Sequence, residues 1–479
     1  MSDSLDDDAR AVLAGAPCAL EMPAGTGKTH LLAAAVAVAW SDGSRSLILT
    51  HTNAGIDALR ERLKKFGVPG KAFHVDTITG WAFSLVRAYG QIAQIVVPEV
   101  PDWTDSPKYI DAATRVATAT AIRNMHQESF GYFFVDEYQD CNTRQHKFLA
   151  AISGSVPKTV VLGDRLQGIF GFGGETLVDW EGDVFPLFPP MSVGCLPHRW
   201  RDTNPELGQW LLDLRPSMTD GAVLDFSAFD IPGLKWVPAA DGALATVAYS
   251  FDSLNESVVL LDKWAPDVAR HASRLGGAYS VMEEIQGKFM ITELESLPSA
   301  DSHLLALWLA RFAKKCAVGL AGLDNPVLGR LQANQSITHY QRPGLAGVLE
   351  DLDDLRASPS LGLLCDVATR IGLTSGVKIY RWEAWKDTLE AIENSVTSGQ
   401  TPREELGRVR DRLRRSGRRA RARIASRTVL IKGLEYDHVI VADLGNMRDP
   451  RNLYVALTRA KKTITLIGRS ARITLKKDN

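Results

Sequence analysis

The chain has 479 residues, 45% of them hydrophobic, and a formal net charge of −1. A length near this value carries roughly three domains and a substantial apolar core, which excludes a disordered chain and a small disulfide scaffold. The five cysteines (Cys18, Cys141, Cys195, Cys316, Cys365) are scattered with no C-x-x-C pair, against a structural zinc and for a reducing compartment.

The acidic start (Asp3, Asp6, Asp7, Asp8) has the wrong sign for a signal peptide. The first long apolar stretch, LLAAAVAVAW (31–40), is too short to cross a bilayer, so a soluble, cytoplasmic protein with no membrane partner is expected. That stretch follows MPAGTGKT (22–29), which reads as a phosphate-binding loop. Around Gly25, Thr26 and Gly27 backbone N–H groups can close on phosphate oxygens. Lys28 can then reach the terminal phosphates, and the Thr29 hydroxyl can take a place on Mg²⁺.

About a hundred residues later FFVDEYQD (133–140) reads as an apolar strand ending in adjacent carboxylates. Asp136 would hold Mg²⁺ through water, and Glu137 would orient and deprotonate the attacking water. Loop and acidic strand end, in this order, predict a nucleotide hydrolase that uses Mg²⁺. LILT (47–50), FFVD (133–136) and VVLG (160–163) alternate with helical stretches, which predicts an α/β lobe built on a parallel sheet. FPLFPPM (185–191) cannot continue a helix and reads as a linker. VVLL (258–261), VIVA (439–442) and ITLI (464–467) repeat the strand-and-helix grammar, so a second α/β lobe is expected.

The expected division is a first lobe at 1–185 with a small insertion at 91–130, and a second lobe made of 186–292 and 427–479. A mostly helical insertion with an arginine-rich end fills 293–426. Between Arg403 and Arg427 eleven arginines face only Glu404, Glu405 and Asp411, a local balance of +8. Clustered arginine is a common footprint for phosphate backbones; a solvated helix face or a dock for an acidic partner protein would look the same.

Taken together, these strings resemble the superfamily-1 helicases of the UvrD/Rep/PcrA type over most of the chain. After the loop, LTHTNAGIDALRERL (49–63) and HVDTITGWAFSLV (74–86) are similar to two DNA-side motifs of that family. VDEYQD (135–140) matches its DExxQD form. LGDRLQGIFGF (162–172), LPHRWRDTN (196–204), IKGLEYDHVIV (431–441) and NLYVALTRAKK (452–462) resemble GDxxQSIYGW, NYRS, KGLEF and YVAxTRA. The resemblance implies two RecA-like parallel-sheet lobes with a reduced helical insertion in each. It implies that Gln167 senses the γ-phosphate and that Arg201 and Arg459 neutralise transition-state charge from the second lobe. Glu435 would face the nucleotide, and His30 and Trp200 occupy the places where the family sandwiches adenine. Phe170 and Phe172 stand where it stacks bases, with His51, Thr52, Asn53 and Trp81 as further DNA-side candidates.

Several positions depart from the pattern. The best alignment puts Ala9 where the family reads adenine with glutamine, which loosens the expected nucleotide preference. Val429 and Leu430 replace the His-Ser pair before the KGLEY lysine, and both insertions are small. The implied activity is ATP-driven translocation on single-stranded DNA or a tailed duplex, with 3′→5′ polarity. The alternative is a DNA-sensing ATPase subunit that licenses a partner nuclease, as in compact UvrD-like subunits of Gabija-type anti-phage systems. A small-molecule P-loop kinase would need neither arginines from a second lobe nor a base-stacking motif.

Overall fold

The computed structural model describes residues 2–97, 105–169, 176–251, 255–416 and 421–477. The apolar runs expected as strands form two parallel sheets. The first contains β1 (Cys18–Glu21), β2 (Ser46–Thr50), β3 (Phe73–Thr77), β4 (Tyr132–Val135), β5 (Thr159–Gly163) and β6 (Pro190–Met191), in the order β3-β2-β4-β5-β1-β6. Its four central strands, β2, β4, β5 and β1, are buried because helices cover both faces. One face packs against the helices Lys28–Ser41 and Asn53–Lys65, the other against Ile78–Ala88, Ser106–Thr118 and Thr143–Ser153.

Two sequence expectations change here. The segment read as a linker carries β6, which pairs beside β1 at the sheet edge. An edge tolerates Pro190 because its missing N–H costs no ladder bond on the open side. The described part of the expected first insertion does not stand apart. The helix Ser106–Thr118 shares the first-sheet core, with Ile110 and Val116 packed among Leu85, Phe133 and Phe148.

A small antiparallel pair, β7 (Val223–Asp225) with β16 (Arg472–Thr474), precedes and closes the second lobe. Its main sheet uses β8 (Leu234–Pro238), β9 (Val258–Asp262), β10 (Ser280–Val281), β13 (Arg423–Arg427), β14 (Tyr436–Val441) and β15 (Ala460–Gly468), in the order β10-β13-β9-β14-β15-β8. Both sheets are parallel and helix-covered, so the chain has two RecA-like lobes. Between β10 and β13 lies a helical body from Lys288 to Ser416, pinned by the short pair β11 (Ala317–Val318) and β12 (Lys378–Ile379). It has its own core, in which Phe312 stacks between Trp308 and Trp385 at 5.1 and 5.5 Å.

Much of the arginine run is paired within the fold, at the surface of this body, inside it and on the neighbouring sheet. Arg410, only 4% exposed, holds Asp387 at 2.7 Å and the Glu284 carbonyl at 2.6 Å. Arg403 pairs with Glu295, Arg408 with Glu405, Arg412 with Glu390 and Arg427 with Glu284. Arg421 lies over the Trp382 ring at 4.4 Å, and Arg423 donates to the Phe251 carbonyl at 2.6 Å. These seven arginines therefore have partners within the fold, although Arg403, Arg408 and Arg412 remain more than half exposed. Arg418 and Arg419 lie outside the described residues.

Candidate active site

The phosphate loop joins β1 to the helix Lys28–Ser41. Gly25 (φ 74°) and Gly27 (φ 92°) take left-handed backbone that side-chain-bearing residues avoid. Space forbids a side chain as well: a Cβ on Gly25 would stand 2.5 Å from the Trp200 ring. Thr26 is buried, its hydroxyl donating to the Pro23 carbonyl at 2.8 Å. Thr29 and His30 are half-buried at the helix start, and the His30 ring lies 4.8 Å from Phe66.

Lys28 points from this helix end to the carboxylates after β4. Its ammonium lies 2.8 Å from Glu137 and 3.8 Å from Asp136. Burial works against the charge on Lys28, but Glu137 and Asp136 outweigh it and hold the group above its ordinary value. Burial pushes Asp136 up to about 6, against the pull of Lys28. Burial also opposes ionisation of Glu137, yet Lys28 and Lys432 hold it well below the carboxylate range. Glu137 has φ 58°, a left-handed conformation rare for such a residue and a sign of strain kept by its surroundings. Gln139 donates to its carboxylate. Two glycines leaving a cradle, a buried lysine and two carboxylates fit a nucleotide's phosphates. Thr29 and Asp136 are the residues that would hold Mg²⁺, which would neutralise phosphate charge there.

The second lobe closes over this cluster. Arg459, 1% exposed, reaches across to the Gln167 side-chain oxygen at 3.0 Å and is held by the Val455 carbonyl at 3.0 Å. Burial, then neighbouring Arg199, lowers its guanidinium to about 10. Lys432, from the KGLEY string, bonds both Asp140 carboxylate oxygens and the Gln167 carbonyl. Burial pushes Asp140 up to about 7 in spite of Lys432. Arg199 braces Glu435 at 2.8 Å and the Thr458 carbonyl at 2.5 Å, and its backbone N–H bonds Gly25 of the loop at 3.0 Å. Arg201 is exposed at the rim and meets the His198 ring at 2.5 Å; that ring stands beside Gly27.

Trp200 requires a correction. It is 0% exposed, its indole N–H donates to the Ala460 carbonyl at 2.6 Å, and its ring lies under Gly25 and Gly208. With no open face, it is a core side chain beneath the loop and not an adenine platform. Apolar area drives it there, since an indole is more stable packed than waiting in water.

The expected DNA-side residues are less united. The Thr52 hydroxyl caps the helix Asn53–Lys65 through the Gly55 N–H at 3.0 Å, with Asn53 exposed beside it. His51 meets Cys141 at 3.3 Å, and burial and Lys432 lower it to about 4. Trp81 is half-buried among His74, His126 and Phe130, at 4.8, 6.0 and 6.5 Å. Phe170 and Phe172 lie outside the described residues. A cleft of about 390 Å³ that no motif foretold opens past the ends of β9 and β14, lined by Lys263, Trp264, Arg448, Lys476 and Lys477. Trp264 is 54% exposed, with the Lys263 ammonium 4.9 Å from its ring centre.

Residues 99–177 match the family model of the UvrD/REP helicase N-terminal domain. The match spans the acidic strand end and the whole of the following motif at 162–172. Over this stretch the chain resembles the UvrD/REP helicases. Among solved structures it is similar to the crystal structure of Pif1 helicase from Candida albicans, at 11% identity and a TM-score of 0.41, over 98% of this chain and 94% of that chain. No curated protein matches it in sequence. No helix among the described residues is long and apolar enough to cross a membrane, and no cluster of His, Cys, Asp or Glu there could hold a metal ion on its own. Sequence reasoning missed Arg199, Lys432, Asp140 and Asp164, each of which has a partner distant in the chain. All four did stand inside quoted motifs, which was the available signal.

Proposed function

We propose that this UvrD-like chain is an ATP-driven translocase on single-stranded DNA, moving 3′→5′, with hydrolysis at the lobe interface. The carrying observation is Arg459, delivered from the second lobe into contact with Gln167 beside the Lys28–Glu137 pair. Phosphates would compete with Glu137 for Lys28, freeing that carboxylate to accept a water proton. Arg459, and Arg201 from the rim, would meet developing phosphoryl charge only while the lobes are together, which ties hydrolysis to closure. Glu435 and His30 would border the nucleotide. With Ala9 in place of a glutamine and Trp200 buried, base selectivity would be loose.

On the track side, the cationic cleft with exposed Trp264 supports strand contact better than the arginine run does. Lysines and arginines there can meet phosphates while an indole accepts any base. His51, Asn53 and Trp81 would contribute from the first lobe. The polarity rests on the family resemblance alone. A second reading, a DNA-sensing ATPase with little unwinding that serves a partner nuclease, is favoured by the small first insertion. Its described helices cover the sheet and leave no separate arm for duplex.

The test is ATP turnover with and without single-stranded DNA, followed by strand displacement on 3′- and 5′-tailed duplexes. Stimulation by single strands and displacement only from the 3′ tail are expected. Turnover indifferent to DNA would overturn the translocase reading. Stimulation without displacement would favour the sensing subunit.

A further inference from the structure

Beyond the motif residues, one arginine joins both lobes to the loop and to Gln167 at the same time. Arg215 follows the helix Pro205–Asp213, whose Leu207 and Leu211 pack in the second-lobe core. Its guanidinium crosses the interface. One nitrogen donates to Asp164 at 2.8 Å and to the Tyr454 hydroxyl at 2.8 Å; the other donates to Glu21 at 3.1 Å. Asp164 and Glu21 come from the first lobe, at the ends of β5 and β1, whereas Tyr454 belongs to the YVALTRA string. The guanidinium also lies 5.1 Å over the Tyr454 ring.

What Asp164 does gives this contact its consequence. Its side chain is fully buried. One oxygen accepts from the Ala24 N–H of the phosphate loop at 2.9 Å and from the Gln167 amide at 2.9 Å. The other takes Arg215. Gln167 is thereby held at both ends, its amide nitrogen on Asp164 and its oxygen on Arg459 at 3.0 Å. A buried carboxylate keeps such bonds only with a counter-charge at hand, and a guanidinium can serve several acceptors in one plane. That counter-charge arrives with the second lobe.

We infer that Arg215 is a positioning residue that couples lobe closure to the shape of the phosphate loop and the orientation of Gln167. The inference rests on the hydrolase reading above. Opening the lobes withdraws Arg215, Tyr454 and Arg459 from this hub together, leaving Asp164 without its cation. The loop N–H and the Gln167 amide then lose a fixed acceptor. Nucleotide can still reach Lys28, so the effect falls on turnover more than on binding.

The experiment compares the full chain with Arg215→Ala and Arg215→Lys, by amide hydrogen exchange and by ATP turnover. In Arg215→Ala, exchange at residues 24–27 and 164–168 should quicken at least ~10-fold, while the helical body 288–416 stays as protected as before. The turnover number should fall at least ~10-fold with KM for ATP changed less than ~3-fold, and Arg215→Lys should recover part of both. Quickened exchange throughout the chain, the body included, would reduce Arg215 to a stability role and overturn the inference. Unchanged exchange at the two segments would overturn it as well. If the unmodified chain turned over no ATP, the hydrolase reading would fall, and exchange alone would still decide whether Arg215 holds the hub.

Discussion

The lobe interface and the helix Pro402–Ser416 are both rich in charge, and they use it in opposite ways. At the interface the buried side chains of Lys28, Lys432 and Arg459 and the half-buried Glu137, brought from segments far apart in the chain, form a cluster a nucleotide's phosphates can enter. On the helix, arginines meet carboxylates of their own helical body, and Arg410 is closed off entirely. The same residue type is poised for chemistry in one region and is a fastening in the other. Density of charge along a sequence does not distinguish the two; the partner does.

The sharpest way to break this comparison is at the loop. Lys28→Ala and Glu137→Gln should each remove ATP hydrolysis, a loss of ~10³-fold or more, because one removes the cation meant for phosphates and the other the proton acceptor. Near-normal turnover in either variant would end the assignment of this interface as the active site. Arg459→Ala should lower the turnover number ~100-fold or more, worth about 2.7 kcal/mol, and leave single-strand affinity close to unchanged. Lost strand binding with intact hydrolysis would instead make Arg459 a track contact.

In the helical body the expected readout is stability. Arg410→Ala leaves Asp387 and the Glu284 carbonyl buried without their donor, at a cost of about 3 kcal/mol in chemical unfolding. A change below about 1 kcal/mol would mean that the ion pair is not what locks the helix in place.

The interface should show the opposite sign. Burial raises Asp136 from 3.8 to about 6, so the folded chain binds that proton more tightly than the unfolded one. This stability is present below about pH 4 and is lost as pH rises to about 6. Asp136→Asn should therefore raise the unfolding midpoint at pH 7 in the absence of Mg²⁺, by an amount near 1–2 kcal/mol, with the gain vanishing at pH 4. A destabilised variant at pH 7 would show that the Lys28 attraction outweighs burial. Smallest of all, Arg412→Ala removes an exposed pair with Glu390 and should move stability by no more than ~0.5 kcal/mol. A loss as large as that of Arg410 would erase the distinction between buried and surface members of the run.

Much of the site was legible because its parts are local. A phosphate loop needs glycines and a lysine in immediate succession, and Gly25, Gly27 and Lys28 take the conformations that this spacing demands. The acidic pair was equally plain, since Asp136 and Glu137 end an apolar strand. Arg215 was not legible: nothing around LLDLRPSM marks it, and its acceptors Glu21, Asp164 and Tyr454 lie far away in the chain. Trp200 was misread for a related reason. A motif gives its position but not its burial, and the second-lobe core covers it. The proline-bearing segment 185–191 looked like a linker because proline excludes helix, but an edge strand satisfies the same restriction.

The sequence by itself determined the α/β class, the two parallel-sheet lobes and the glycine-rich loop after β1, because these depend on period, strand length and closely spaced glycines. Only the tertiary structure decided which cations remain available for phosphate and which are consumed. Neutralisation acts over a few ångströms between residues hundreds of positions apart, and a linear pattern carries no such distance.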